Sequence, residues 1–166
     1  MSQRLLACLV LAIAATGCSK STPDAASATQ PSETPRTVAQ LDEAGLIAAV
    51  GSPVVYEVPL DDGRGLKFRP KCTPQECQPA FSLEFRKGRI NVAWEQYTDN
   101  AKFDAANAQN VQWAGQVLTY ALGKEATAKI KASIAANTPL RGEVLQGHKV
   151  NVMPGGGTQV LVTISL

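Results

Sequence analysis

The chain has 166 residues, of which 45% are hydrophobic and 18% charged, with a formal net charge of +2. That composition excludes a disordered or collagen-like chain. The near-neutral balance gives no global attraction to nucleic acid or acidic lipid, so any electrostatic partner must read a local patch.

In chain order, Arg4 precedes an apolar run from Leu5 to Thr16. The run falls short of the about 20 residues needed to span a bilayer as a helix. It has the length of a secretion-signal core and ends in small residues, Ala14-Ala15-Thr16-Gly17, just before Cys18. Ala15-Thr16-Gly17-Cys18 resembles the lipobox of bacterial lipoproteins, with Ala15 where the usual pattern has Leu. The resemblance implies cleavage after Gly17 and diacylation of the Cys18 thiol. It also implies outer-membrane sorting with the domain facing the periplasm, because Ser19 is not the Asp that retains such proteins in the inner membrane. It covers only this N-terminal segment. Two or more acyl chains hold a protein stably on a membrane, whereas one holds it weakly.

Residues 18–36 follow as the lipidated Cys and a linker rich in Ser, Thr, Pro and Ala. Such a stretch buries too little to offset its ordering entropy and forms a tether spanning on the order of 25 Å. Residues 37–166 are the size of one ordinary domain.

Thr37-Val38-Ala39-Gln40 has the form of a capping box, and Leu41, Ala44, Ile47 and Val50 follow at helical spacing. The spacing predicts a helix over 38–50, closed by Gly51. From residue 53 the period changes to two, and four strands are expected up to residue 96. Val54, Tyr56, Val58 and Leu60 form the apolar side of the first. Leu66 and Phe68 mark the second, Phe81, Leu83 and Phe85 the third, and Ile90, Val92 and Trp94 the fourth. Asp61-Asp62-Gly63 and Lys87-Gly88 supply turns. The expectation is an antiparallel meander with one apolar and one wet face.

Residues 98–110 read as a polar loop or a frayed helix start. Helices are predicted over 111–122 and 125–136, separated at Gly123 and stopped by Asn137 and Pro139. A short strand at 143–145, a turn at Gln146-Gly147, and a hairpin of Val150 and Val152 with Val160, Val162, Ile164 and Leu166 complete the chain, with Leu166 expected in the core. The fold class is therefore α+β, an antiparallel sheet packed against helices.

Of four cysteines, Cys8 leaves with the signal and Cys18 carries lipid, so Cys72 and Cys77 remain. In an oxidising compartment they are expected to form a structural disulfide closing a small loop, which contributes roughly 2 kcal/mol. The spacing is not that of a redox pair, and a zinc site would need ligands beyond the lone His148. His148 itself reads as a solvated hairpin residue. Trp94 and Trp113 read as core.

No nucleophile elbow, zinc-helix or phosphate-loop motif is present. The sequence gives no reason to expect a cofactor or metal. Lys67, Arg69 and Lys71 stand two apart, on the strand face opposite Leu66 and Phe68, with Arg64 before them and Arg86 and Arg89 on the next hairpin. Together these cations form the candidate partner-binding patch. The function expected is a membrane-anchored, non-enzymatic binding module for an envelope macromolecule, such as an inhibitor or immunity protein against an exported toxin or hydrolase, with no nucleic-acid role. The rivals are an envelope-assembly subunit and a cell-wall hydrolase using Asp61, Asp62 or Glu95.

Overall fold

A computed structural model describes residues 43–69, 78–155 and 158–166. Cys18, the linker, residues 38–42 of the first helix, Lys71, Cys72 and Cys77 lie outside the described residues. The fold is α+β. Seven strands, β1 (Tyr56–Leu60), β2 (Gly63–Lys67), β3 (Phe81–Arg86), β4 (Arg89–Glu95), β5 (Leu140–Leu145), β6 (His148–Met153) and β7 (Gln159–Ser165), form one antiparallel sheet in the order β1-β2-β3-β4-β7-β6-β5. The expected meander is its first half. The last three strands form a second meander, and β7 zips onto β4 from Arg89↔Ser165 to Glu95↔Gln159. Ile90 thus faces Ile164 and Val92 faces Val162, at the centre of the sheet. Leu66, Leu83, Val92, Val162 and Val152 point to one buried face, where the helices pack.

The first strand departs from the expected pattern. Leu66 pairs with Glu57, while Val58 pairs with Gly65. Directly opposed residues share a face, so Tyr56, Val58 and Leu60 lie on the open side of the sheet, away from the core. A strand's apolar set follows its pairing register, and the two-residue turn at Asp61-Asp62 sets that register. The other end of the sheet brings a second departure. Strand β7 ends at Ser165, and Leu166 is 51% exposed instead of core.

Both edges carry features that disfavour further strand addition. Edge strand β1 contains Pro59, which lacks an amide donor, and edge strand β5 is bulged between Leu140 and Glu143.

Helix α1 (Glu43–Val50) buries Leu46 and Val50 and ends at Gly51, whose amide donates to Ala48 O at 3.0 Å. Helix α2 (Asp104–Ala135) is folded in two at Gly123, where φ is 80° and ψ is 170°. The Oγ1 atoms of Thr119 and Thr127 meet at 3.4 Å, and a Cβ built on Gly115 would lie 2.9 Å from Lys131 Nζ. In a straight helix residues 115 and 131 would stand about 24 Å apart. The element is therefore an antiparallel helical hairpin centred on Gly123, the two helices the sequence predicts.

Its first arm begins earlier than expected. Asn100 caps a 3₁₀ turn at Ala101–Phe103 by accepting from Lys102 N at 3.1 Å, and α2 starts at Asp104. The 98–110 segment looked like a loop because its inward residues are polar. Asn107 accepts from Tyr97 N and donates to Tyr97 O, and Asn110 donates to Pro79 O, Ala80 O and Glu95 O. These amides dock the helix on the end of the sheet by hydrogen bonding, where periodicity analysis looks for apolar contacts.

Phe68, Phe81 and Trp113 form an aromatic cluster with centroids 5.4 to 6.4 Å apart. Trp94 and Trp113 are buried as expected. His148 is not a solvated turn residue: it is 1% exposed. It occupies the inward position of β6, two before Val150, and neither ring nitrogen has a hydrogen-bond partner among the described residues.

Candidate functional site

The β1–β2 and β3–β4 turns and the end of β7 converge at one end of the sheet. Lys87 N donates to Asp62 O, and Leu166 N donates to Gly88 O, both at 2.9 Å. Here Arg86 and Arg89 stand directly opposite each other across the β3–β4 ladder. Like charges in that relation repel. Asp62 offsets the repulsion by taking one guanidinium on each oxygen: Arg86 Nη1 on Oδ1, and Arg89 Nη2 on Oδ2 at 3.0 Å. Arg86 Nε also donates to Glu84 Oε2 at 2.9 Å.

Glu84 begins a polar row across the open face. Its Oε2 accepts from Asn91 Nδ2, and Asn91 Oδ1 accepts from Thr163 Oγ1, each at 2.9 Å. Asn151 continues the row opposite Thr163 and accepts Gly142 N at 2.8 Å. Partial burial works to raise the Glu84 carboxyl. The hydrogen bonds from Arg86 and Asn91 outweigh it, with the charges of Arg86 and Lys67, and hold Glu84 below the usual carboxylate range. Glu84 is therefore ionised at neutral pH and fixes the side chains around it.

Three of the candidate cations, Lys67, Arg86 and Arg89, share this open face around Glu84. The others do not. Arg64 lies on the opposite face, opposed to Phe85 in the ladder. Its Nε donates to Glu43 Oε2 at 3.0 Å and its Nη1 to Glu57 Oε2 at 3.1 Å, and its guanidinium sits 6.0 Å from the Phe85 ring centre.

Arg69 corrects the expected Lys67-Arg69-Lys71 stripe. Strand β2 ends at Lys67, and Arg69 is 9% exposed with its guanidinium turned into the protein. Nε donates to Asn110 Oδ1 at 2.9 Å, and Nη2 to Ala106 O at 3.0 Å and Gln109 Oε1 at 2.8 Å. The cation lies 4.7 Å from the Trp113 ring centre. Burial pulls it below its ordinary value, yet an arginine so well supplied with acceptors stays charged. It is a joint between β2 and α2.

The positive patch expected from the sequence is thus a charge-interleaved surface. The window from Arg64 to Arg89 leaves out Glu43, Glu57 and Asp62, which fold back onto it. Glu43 carries no sequence signal for this site; Asp62 stands out in the sequence as a turn carboxylate and a hydrolase candidate, but not as the partner of Arg86 and Arg89.

Two of the three candidate hydrolase carboxylates, Asp62 and Glu95, are engaged by other side chains. Asp62 holds two arginines. Glu95 Oε2 accepts from Tyr97 Oη at 2.9 Å and Ala80 N at 3.0 Å, and that bond, aided by burial, raises the Tyr97 phenol. Among the described residues no group of three His, Cys, Asp or Glu side chains could hold a metal ion. No described helix is long and apolar enough to cross a membrane.

A shallow cleft of about 290 Å³ opens at this end between α1 and the β3–β4 turn, lined by Glu43, Leu46, Phe85, Arg86, Arg89, Ile90 and Leu166. A second, of about 620 Å³, lies by Pro139, Leu140, Met153 and Pro154. Comparison with family models, curated proteins and solved structures finds no match for this chain.

Proposed function

We propose that this chain is a lipid-anchored bacterial envelope protein whose α+β domain is a non-enzymatic module that binds another envelope protein, in the manner of an inhibitor or immunity protein. The open face of the first half-sheet carries this reading. Lys67, Arg86 and Arg89 are arranged there around an ionised Glu84, which is hydrogen-bonded through Asn91 to Thr163 across three strands. Such a surface is set before a partner arrives, so binding orders few side chains. Interleaved charges favour a partner with the complementary pattern and penalise others. Pro59 and the β5 bulge disfavour a partner that would add a strand to either edge.

Anchoring through Cys18 and the linker to Arg36 holds the domain within a few nanometres of the membrane. The mass of the mature N-terminus tests this part: a diacylated Cys18 is expected, and a free thiol there would remove the anchor. The binding role is tested by capture from envelope extract. Wild-type protein should retain a partner in a salt-sensitive way, and the Lys67→Glu, Arg89→Glu double variant should lose it. Cell-wall hydrolysis abolished by substituting Asp61, Asp62 or Glu95 would overturn the reading in favour of an enzyme.

A further inference from the structure

The geometry points to a binding site for the carboxyl terminus of a peptide ending in an aliphatic residue, in the cleft between α1 and the β3–β4 turn. The inference rests on the reading of this domain as a protein-binding module and names the part of the partner that it holds.

The cleft has two kinds of wall. Leu46, Phe85 and Ile90 form its apolar side; all three are buried core residues, and Leu166 adds an exposed apolar rim. Arg86 and Arg89 form the other side. The two arginines are not equally occupied. Arg86 is engaged by Asp62 and Glu84. Arg89 gives only Nη2 to Asp62 and keeps a half-exposed side chain. Its Nε, its Nη1 and the second Nη2 hydrogen have no partner among the described residues. Whichever Nη2 hydrogen Asp62 takes, one planar two-hydrogen fork of the guanidinium stays open. A carboxylate matches such a fork with two parallel hydrogen bonds.

The surroundings choose among anions. Glu43 borders the cleft, and Asp62 and Glu84 stand behind its arginines. Arg64 already neutralises Glu43. A monoanion can use the open fork, whereas a phosphate dianion would meet the repulsion of three carboxylates. The volume, about 290 Å³, lies at the small end of ligand sites and suits one residue, not a long segment. An Asp or Glu side chain brings a carboxylate without an aliphatic group. The last residue of a chain, if Leu, Ile or Val, brings both at the spacing of a single residue. Its carboxylate would meet Arg89 while its side chain packs against Leu166 and the exposed edges of Phe85 and Ile90.

The test is calorimetric titration of the full-length lipoprotein in detergent with a hexapeptide ending in Ala-Leu, as the free acid and as the C-terminal amide. The acid should bind, and the amide about tenfold more weakly, the loss of a charge-assisted pair. Arg89→Gln should weaken the acid by about the same factor and bring the two peptides level. Lys87→Gln, one turn residue away, should leave the acid's affinity unchanged. Equal binding of acid and amide to the wild type, discrimination that survives Arg89→Gln, or no binding of the acid at millimolar concentration would each overturn the site. If Arg89→Gln still captures the envelope partner, the cleft is excluded and the module reading stands. If the wild type captures no partner and binds no peptide, both fall.

Discussion

Arg69 and Asn110, forty-one positions apart, meet inside the protein with Arg69 Nε donating to Asn110 Oδ1 at 2.9 Å. Asn110 is 0% exposed, and its Nδ2 reaches the carbonyls of Pro79, Ala80 and Glu95. One amide thus ties the end of β2, the entry to β3 and the exit of β4 to the first arm of α2. Asn110→Ala leaves a buried guanidinium and several carbonyls short of partners at once. The expected loss is about 3 kcal/mol of stability in urea unfolding, because an unsatisfied buried group costs its full desolvation. Asn110→Asp should cost at least as much, since it keeps the acceptor for Arg69 but turns a carboxylate oxygen on the carbonyls of Pro79, Ala80 and Glu95. A loss within about 0.5 kcal/mol for the Ala variant, the range of ordinary surface substitutions, would contradict the joint.

Arg69 also marks where sequence reasoning stopped. Alternation at Phe81, Leu83 and Phe85, and at Ile90, Val92 and Trp94, made β3 and β4 legible, because burial on one face leaves a period of two. Gly123 was legible as a break because a helix interior seldom keeps a glycine. Asn110 was not: an inward amide satisfied by backbone carbonyls looks like an outward polar residue until its partners are known. The same limit hid the charge balance of the site. Arg64, Arg86 and Arg89 cluster in sequence, but the carboxylates that meet them, Glu43 and Asp62, do so through strand pairing and helix packing. Of the described residues of the expected stripe, Lys67 faces the open side as the pattern implied and Arg69 does not.

His148 gives a second prediction. Both ring nitrogens are buried without hydrogen-bond partners among the described residues. Replacing a buried, unpartnered polar group by an apolar one of similar size removes a desolvation cost without losing an interaction. His148→Leu is therefore expected to raise stability by about 1 kcal/mol. Equilibrium urea unfolding checks it, with a higher midpoint at unchanged slope as the expected result. A destabilised variant would mean that the imidazole has a partner the apolar side chain cannot replace.

Glu84 makes stability depend on acid. Its carboxyl lies below the usual carboxylate range in the folded protein, with burial opposing and Arg86 and Asn91 prevailing. The unfolded chain releases these partners, so the unfolded state binds the proton more readily. The contribution is fully present above the ordinary carboxylate value and is lost as pH falls through the depressed folded value. Unfolding free energy measured from neutral pH to strongly acidic pH should therefore fall less steeply for Glu84→Gln than for the wild type. Parallel curves for the two proteins would show that the Asn91 and Arg86 bonds do not favour the ionised form.

Gly123 holds the α2 hairpin closed through its backbone. At φ 80° and ψ 170° it occupies a region essentially restricted to glycine. A Cβ there would meet nothing within 4 Å, so space is not the obstacle. Gly123→Ala tests conformation alone and should cost about 2 kcal/mol of stability. The added methyl also favours the straight helix that the flanking residues could otherwise form, at the expense of the contact between Thr119 and Thr127. A cysteine pair in place of those two threonines should oxidise readily in the wild-type background and more slowly when combined with Gly123→Ala. Equal stability and equal oxidation would mean that the packing of the two arms, not the glycine, sets the reversal.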